Sequence, residues 1–414
     1  MSRTTLDAPT TYAPPVPTPS LTARIAVHPA TGLVGILLVS LNMRAALSAV
    51  SPLLTDVSTS YGLSSTAGGL LTTLPVLLMG VTAPFVPRLV RRLGPERVVL
   101  GALALLAAGV GLRVVSGAWA LFAGSVVIGA AIALLNVTMP GLVKRDFPDR
   151  AATMTGVYTT SMIVGATLAA ALSVPMEHAF SGWQGSLASW SVLALFAALV
   201  WLPQVRRPAG HVVSQPVGDR IAGLWRHPLA WQLAVYMGVM SLLSYTLIAW
   251  MPTILTAQGM HRGTAGAVFA FCNLIQVGGA FVVPTLAGRM RSQRGLVALM
   301  VSCNAGGILG LVLAPVGGAW VWAVLLGIAQ GGGFGLAMAL IVLRSGGAAV
   351  ASQLSGMSQM VGYFIAAAGP VGFGALHQLT GGWTLPLVLL LACCGVALTA
   401  GLGAGRAHTL RAGR

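Results

Sequence analysis

The amino-acid sequence predicts an all-α polytopic membrane protein, a bundle of about twelve transmembrane helices. The first observation is composition: 56% of the 414 residues are apolar and only 7% are charged, whereas soluble domains average about 25% charged residues. The second is length, because each helical span requires ~20 apolar residues and the chain accommodates about twelve spans with their loops. This composition excludes a cytoplasmic enzyme, a disordered chain and a secreted module.

Charges, Pro/Gly clusters and Trp residues divide the chain into twelve apolar stretches, six on each side of one long polar segment. The first thirty residues are rich in Pro and Thr and lack an apolar run, which predicts a disordered tail rather than a signal peptide. The predicted organisation is a cytoplasmic tail (1–30), a six-helix half (31–203), a cytoplasmic linker (204–228), a second six-helix half (229–404) and a cytoplasmic tail (405–414). The spans are predicted to begin near residues 31, 64, 96, 119, 151, 183, 229, 264, 295, 319, 348 and 383.

Basic residues are distributed unequally between the two sets of loops. Twenty of the 23 Lys and Arg residues fall in the tails and in the loops of one side, and only Arg113 and Arg262 fall in loops of the other side. The positive-inside rule therefore predicts that both termini are cytoplasmic. Because the net charge of +16 is scattered over short loops, it does not indicate nucleic-acid binding.

The two halves contain similar short sequences at an offset of about 200 residues. The matching pairs are Ser51-Pro52 with Met251-Pro252, Thr66-Ala67-Gly68 with Thr264-Ala265-Gly266, Pro84 with Pro284, and Thr155-Gly156 with Ser355-Gly356. Each match alone is weak, but their common order and offset indicate duplication of a six-helix unit. That arrangement is typical of transporters whose two halves move about a central site.

Arg44 is the one basic residue that remains inside a predicted span, about 20 Å along the first helix. A charge at mid-membrane costs at least ~2.5 kcal/mol, so such residues generally face a cavity and serve function. No carboxylate is predicted at the same depth, which makes the guanidinium a candidate anion site. The competing interpretation is a structural arginine that binds carbonyl groups of a neighbouring helix.

Helical spacing predicts a polar stripe around Arg44. Its members recur at steps of three or four residues and therefore share one helix face: Ser40, Arg44, Ser48, Ser51 and Thr55. We expect this stripe to line the cavity. Asp56, at the outer end of the same span, is a candidate for proton coupling.

Uncharged polar side chains near the midplane of other spans are candidate ligand donors. The substrate-binding candidates, with Arg44, are Asn42, Ser48, Tyr245, Asn273, Gln276, Gln359 and Tyr363. A second tier consists of Asn136, Tyr158 and Gln330, while Asn304 is expected to pack between helices. For any single Asn or Gln, an interhelical hydrogen bond is an equally good interpretation.

No motif in the sequence predicts a metal, a cofactor or an enzymatic activity. The seven histidines fall in tails, loops or span ends, and the four cysteines lie in apolar runs, as expected of small buried side chains. A membrane-embedded hydrolase requires a histidine or a pair of carboxylates at the reacting centre, and none is predicted at mid-membrane. We therefore expect a protein that is not an enzyme.

Several segments resemble one family of carriers. They are Asn42-Met43-Arg44, Gly69–Gly80 (GLLTTLPVLLMG), Leu142–Pro148 (LVKRDFP), Ser358–Tyr363 (SQMVGY) and Thr380–Trp383 (TGGW). With these residues the chain, from about residue 32 to 404, is similar to the cyanate/2-nitroimidazole transporter family of the major facilitator superfamily. The Asn-Met-Arg segment is the most specific part of the resemblance.

The resemblance implies a bacterial inner-membrane carrier with twelve helices in two six-helix halves, working by alternating access on small, often anionic solutes. It also implies that the Arg44 segment contacts substrate. The superfamily motif between the second and third helices is only partly present, because Pro87 and Arg91 stand at its Gly and Asp positions. Without that Asp, we expect Arg88, Arg91 and Arg92 to act mainly as topology determinants.

We expect a secondary or facilitative transporter for a small anionic or weakly acidic solute, of cyanate, carboxylate or nitroimidazole type, with Arg44 as the central anion site. The functional unit is expected to be a monomer in the lipid bilayer. The alternative is an efflux carrier for neutral or weakly basic drugs, although exporters of hydrophobic cations generally need an intramembrane acid. A non-transporting sensor is a remote alternative, because the longest internal loop of about 25 residues is too short for a signalling domain.

Overall fold

The computed structural model describes residues 29–63, 65–205 and 223–410, and these residues are almost entirely helical. The first half contains α1 (Pro29–Ser48), α2 (Leu54–Tyr61), α3 (Ser65–Thr82), α4 (Val86–Leu93), α5 (Pro95–Arg113), α6 (Ala118–Asp146), α7 (Ala151–Ala179) and α8 (Trp183–Val205). The second half contains α9 (Pro228–Ala257), α10 (Arg262–Arg289), α11 (Arg294–Leu313), α12 (Ala319–Leu343), α13 (Ala348–Thr380) and α14 (Thr384–Ala404). Residues 1–28 of the predicted first tail, residues 206–222 of the linker and the last four residues lie outside the described ranges.

Twelve segments of the described chain are long and apolar enough to cross a membrane. They fold as helices because a backbone N–H or C=O in hydrocarbon must find its partner within the same segment. The second span is made of α3 and α4, and the other spans begin within two residues of their predicted positions. The predicted all-α, twelve-span fold is confirmed.

The same helix pairs pack together in each half. Helix α1 lies against α7 and α8 as α9 lies against α13 and α14, and α5 contacts α6 and α8 as α11 contacts α12 and α14. Gly165 of α7 packs directly on the backbone of Leu41, and Gly369 of α13 packs on the backbone of Leu242. The six-helix unit is therefore duplicated in three dimensions, in agreement with the sequence repeat.

The two ends of the bundle differ in charge. We term the end that carries Arg91, Arg145, Arg289 and Arg344 the basic end, and the opposite end, where α5 turns into α6, the far end. At the basic end Arg145 forms an ion pair with Glu96 at 2.6 Å, which joins the end of α6 to the start of α5.

Close contacts between the two halves lie toward the basic end. A Cβ atom at Gly156 of α7 would lie 2.9 Å from the Phe281 carbonyl oxygen of α10. At the repeat-related position, a Cβ atom at Gly356 of α13 would lie 3.1 Å from the Ala83 carbonyl oxygen of the second span. Glycine at both positions allows backbones of opposite halves to touch, and these contacts join the two halves near the basic end.

The prediction that places Arg113 in a loop of the far side is wrong. Arg113 is the last residue of α5, only 2% of it is exposed, and its side chain points into the bundle. It donates hydrogen bonds to Ser125 of α6 and to the Ala46 carbonyl of α1. A charge at a helix end normally extends to water, but acceptors on two neighbouring helices compensate its burial, and they cannot be read from the local sequence.

Candidate substrate-binding site

Arg44 lies about 22 Å along α1, which begins at Pro29 at the basic end. The side chain is half-buried, and its Cζ atom lies 5.5 Å from the ring centroid of Tyr245 on α9 and 5.5 Å from that of Phe334 on α12. In the part of the chain that the structure describes, its guanidinium has no hydrogen bond or ion pair with protein. A cation of the first half thus faces two aromatic rings of the second half.

The two aromatic rings stabilise the Arg44 charge without using its hydrogen-bond donors. A cation over a ring gains about 0.5–1 kcal/mol at exposed sites and about 2 kcal/mol when desolvated. The guanidinium retains five N–H groups in a planar fork that matches carboxylate-like anions. Chemically, this arrangement can hold a small anion against Arg44 between aromatic walls.

Carboxylates of the described residues lie at helix ends or in turns, away from Arg44. They are Asp56, Glu96, Asp146, Asp149 and Glu177. Asp56, the candidate for proton coupling, is exposed in the first turn of α2 at the far end. Arg44 therefore has no carboxylate counter-ion among the described residues.

Three candidate residues on α6 and α13 bind one another across the two halves. The Asn136 side-chain amide donates to the Tyr363 hydroxyl at 3.2 Å, and the Gln359 amide donates to the Asn136 carbonyl at 2.9 Å and to Ser355 at 2.8 Å. All four residues are buried. We term this group, Asn136, Ser355, Gln359 and Tyr363, the polar seam. It links α6 of the first half to α13 of the second half.

Unpaired hydroxyl groups lie near the polar seam. The Tyr245 and Tyr158 hydroxyls are buried without a hydrogen-bond partner among the described residues. Both tyrosines and Arg44 lie within electrostatic range of Tyr363. Two buried hydroxyl groups that no described protein group binds therefore lie beside Arg44 and the polar seam.

Four other candidates remain available to a ligand. Asn273 and Gln276 are half-buried on α10, Ser48 is half-buried on α1, and Gln330 lies on α12 one residue before the glycine that packs on the Gln276 backbone. No hydrogen bond within the described protein engages their side chains. The structure thus gathers Ser48, Asn273, Gln276 and Gln330 on helices that also carry Arg44 or pack beside it.

Two predicted positions serve packing in this structure. The Asn42 amide donates to the carbonyls of Leu38, at 2.9 Å, and Leu193, at 3.3 Å, and so joins α1 to α8. Ser40 is fully buried and donates to the Ile36 carbonyl. Asn304 is also fully buried, against the Met240 sulfur, as the packing prediction expects.

The polar stripe of α1 ends early because the helix ends at Ser48. Ser48 is half-buried and Ser51, in the following turn, is exposed. The side chain of Thr55 lies outside the described residues. Since the periodicity of a straight helix does not continue past Ser48, the stripe extends along one face only from Ser40 to Ser48.

Phe334 is a site residue that is not among the candidates predicted from the sequence. It stands between Gly331, Gly332 and Gly333 on one side and Gly335 on the other. Those glycines pack against α9, α10 and α11, so Phe334 is the one residue of this stretch with a side chain to place toward Arg44. An aromatic residue isolated among glycines at mid-span is the signal that could have found it.

Two duplicated half-bundles that meet around a mid-depth cation define a multi-pass membrane carrier. The family model of the Major Facilitator Superfamily matches residues 36–370, and the chain belongs to that superfamily. It is therefore a membrane transporter and not an enzyme.

Curated relatives agree with the resemblance to cyanate and nitroimidazole carriers. The chain is 38% identical to the uncharacterized transporter YycB of Bacillus subtilis over 90% of this chain and 93% of that protein. It is 36% identical to the 2-nitroimidazole transporter of Escherichia coli, covering 92% and 96% of the two chains. It is 29% identical to the cyanate transport protein CynX of the same organism, covering 85% and 91%.

A solved structure confirms the fold. The Escherichia coli fucose:proton symporter FucP superposes with a TM-score of 0.73 at 13% identity, over 90% of this chain and 98% of that one. At this identity the likeness concerns the arrangement of helices alone.

Proposed function

We propose that the protein moves a small anionic or weakly acidic organic solute across the bacterial inner membrane by alternating access, with Arg44 as the central anion site. The observation that carries this proposal is the Arg44 guanidinium, half-buried at mid-depth and without a hydrogen bond or carboxylate partner among the described residues. An unpaired cation in a low-dielectric site attracts an anion strongly, because little water competes for it.

The chemistry around Arg44 supports a small, flat solute. Tyr245 and Phe334 would pack against its faces, while Asn273, Gln276 and Ser48 would donate or accept hydrogen bonds. The relatives named as cyanate and 2-nitroimidazole transporters support the same class, since cyanate is an anion and a nitro group presents two acceptor oxygens. In this proposal Asn136, Gln359 and Tyr363 contact the solute when the polar seam opens.

We further propose that the basic end faces the cytoplasm and that the chain functions as a monomer. The unequal distribution of basic residues supports this orientation, with both tails and the 204–228 linker on the cytoplasmic side. Contacts between the halves at the basic end then correspond to a carrier closed toward the cytoplasm, with the solute reaching Arg44 from the outside. Asp56, exposed at the far end, would take part in proton coupling.

An efflux carrier for neutral or weakly basic compounds fits the site less well. A bound cation would need a carboxylate near Arg44, and the described carboxylates lie at helix ends and turns. A bound cation would also be repelled by the guanidinium itself. The binding experiment distinguishes the two classes directly.

The proposal is tested by calorimetric titration of purified protein with cyanate, benzoate and 2-nitroimidazole, and with a neutral and a cationic dye as the competing class. We expect binding of the acidic solutes, weakened about 30-fold or more by Arg44→Ala and partly rescued by Arg44→Lys, which keeps the charge but loses the fork. Melting temperature should be maintained. Well-folded Arg44→Ala protein with unchanged affinity would refute the anion site, and preferential binding of the cationic dye would favour efflux.

A further inference from the structure

Helix α1 is interrupted just after Arg44. The α-helix ends at Ser48, and the chain continues through a short 3-10 turn at Ser51–Leu53 before α2. Pro52 has no N–H to bond the Ser48 carbonyl. In the described backbone, Ala49 donates to Ala45, but no main-chain N–H bonds the Ala46 carbonyl. The last turn of the helix that carries Arg44 therefore lacks part of its own ladder.

A side chain supplies the missing donor. The Arg113 Nη1 atom donates to the Ala46 carbonyl at 2.8 Å, while Nε and Nη2 donate to the Ser125 hydroxyl at 3.1 and 2.9 Å. Ser125 gives its own proton to the Leu121 carbonyl, so its oxygen is free to accept from the guanidinium. Arg113 thus ties the open carbonyl of α1 to α6.

Gly124 of helix α6 leaves room for the Arg113 side chain. A Cβ atom at Gly124 would lie 2.8 Å from the Arg113 Cγ atom and 2.6 Å from the Gly109 carbonyl oxygen. Gly124 is therefore a position where any other residue would displace the arginine, and Ser125 follows it with the acceptor. The buried charge of Arg113 binds the carbonyl that lies two residues along α1 from Arg44. Such a specific placement indicates a purpose beyond packing.

We propose that Arg113 is a positioning residue for the substrate site: it replaces the helical donor that α1 lacks at Ala46 and so fixes the turn that holds Arg44 and Ser48. The repeat supports this assignment by contrast. In the second half, α9 runs unbroken from Pro228 to Ala257, so Thr246, the counterpart of Ala46, lies inside a continuous helix. Arg113 does not touch the solute; it acts through α1.

The chain offers a matched control. Arg344 is also buried and also donates to backbone carbonyls, those of Ala404 and Gly405, as well as to Gln293. These bonds hold the end of α12 to the end of α14, remote from α1. Arg344→Gln removes the same chemistry from the second half without touching the Arg44 turn.

The first experiment measures hydrogen-deuterium exchange of the purified protein without ligand. We expect Arg113→Gln to speed exchange of peptides covering residues 40–53 at least several-fold, with 241–257 of α9 unchanged. Arg344→Gln should act instead on peptides around residues 400–410. Ser125→Ala, a milder variant that removes two of the three bonds, should give a smaller increase at 40–53 even if Arg113→Gln fails to fold. Wild-type protection of 40–53 in the variants that fold would overturn the proposal.

The second experiment is a double-mutant cycle on the affinity for cyanate and 2-nitroimidazole, and it rests on the proposed function. Arg113→Gln should weaken binding about tenfold, as expected for loss of a hydrogen bond from a charged group, but should add nothing when Arg44 is already alanine. Arg344→Gln should change affinity less than twofold in either background. An unchanged affinity of Arg44→Ala would refute the anion site alone, whereas additive effects of Arg44→Ala and Arg113→Gln would refute positioning.

Discussion

The two halves of the bundle share their packing but not their chemistry. At the offset of 200 residues that pairs Pro52 with Pro252, Tyr245 of α9 lies one residue from the counterpart of Arg44 of α1. These neighbouring positions of the repeat meet at the centre, with the Arg44 Cζ atom 5.5 Å from the centroid of the Tyr245 ring. One copy of the unit supplies a cation and the other supplies an aromatic surface.

This difference indicates that the two halves kept the packing contacts of the scaffold after duplication, whereas the side chains that face the cavity diverged. Arginines at both of these positions would repel each other in a poorly solvated centre, whereas a cation and a ring attract. Close packing tolerates few changes at positions such as Gly165 and Gly369. Side chains that face the space between the halves carry no such restriction, so that is where a binding site can become asymmetric.

The largest expected effect comes from exchanging the two chemistries. Arg44→Tyr should weaken binding of cyanate about 30-fold or more, because the charge is lost. Adding Tyr245→Arg returns the charge from the opposite half to the same centre and should recover about tenfold, since the bidentate fork is restored in a changed position. Calorimetric titration measures both. A double variant no better than Arg44→Tyr would show that a charge on α9 cannot replace the charge on α1.

The aromatic wall of the second half should contribute less than the charge of the first. Phe334→Leu keeps apolar volume but removes one ring from Arg44, and we expect a loss of affinity of about fivefold, in the range of one cation-π contact. Phe196→Leu, on the exposed face of α8, is the control and should change affinity less than twofold. Equal effects of the two variants would show that the ring contact does not contribute to binding.

The polar seam tests how the halves are held together. Gln359→Ala removes the hydrogen bond to the Asn136 carbonyl, which contributes about 1 kcal/mol to the contact between the halves. Its loss should favour opening of the basic end about three- to fivefold. The measurement is the labelling rate of a cysteine at Ser352, in a background without the four native cysteines. Ser186→Ala, which removes a bond within the first half, should leave that rate unchanged. Slower labelling in Gln359→Ala would contradict the seam as a closure.

Asp56 provides the smallest and most selective test. Asp56, the acidic residue at the far end of the first half, has Thr256 as its counterpart at the same offset as the Pro52/Pro252 pair, so it is a second asymmetry of the repeat. Asp56→Asn should change solute affinity less than twofold but reduce the proton-driven part of uptake for a solute that stays ionised at every pH used. Glu177→Gln, another acid at the far end, is the control. Unchanged proton-driven uptake in Asp56→Asn would exclude Asp56 from coupling.

Much of the fold could be predicted because a membrane imposes strong rules on composition. Apolar stretches of sufficient length must be helices, and this requirement fixed the positions of the spans from Gly32 to Ala404. The repeat of Thr155-Gly156 in Ser355-Gly356 indicated duplication before any contact was known. In the structure both glycines contact the opposite half, which explains why the pair recurs.

Arg44 could be selected from the sequence because a single charge inside an apolar span is costly wherever its helix packs. The residues around Arg44 could not be selected in this way. Phe334 looks like any apolar residue of a span. For Asn136, Gln359 and Tyr363, the sequence does not distinguish a ligand donor from a residue that forms an interhelical hydrogen bond. Only the approach of α6 and α13 from opposite halves joins these three into the polar seam.

Arg113 shows most clearly what could not be predicted from the sequence alone. The sequence by itself determined the class of protein, the twelve spans, their duplication and the exceptional charge at Arg44, since each follows from the transfer of residues into hydrocarbon and needs no knowledge of neighbours. The tertiary structure decided that Arg113 braces the bundle and that Arg44 remains unpaired among the described residues. That choice depends on whether Ser125 and an open carbonyl at Ala46 lie within reach, and such distances exist only once helices far apart in the chain have packed together.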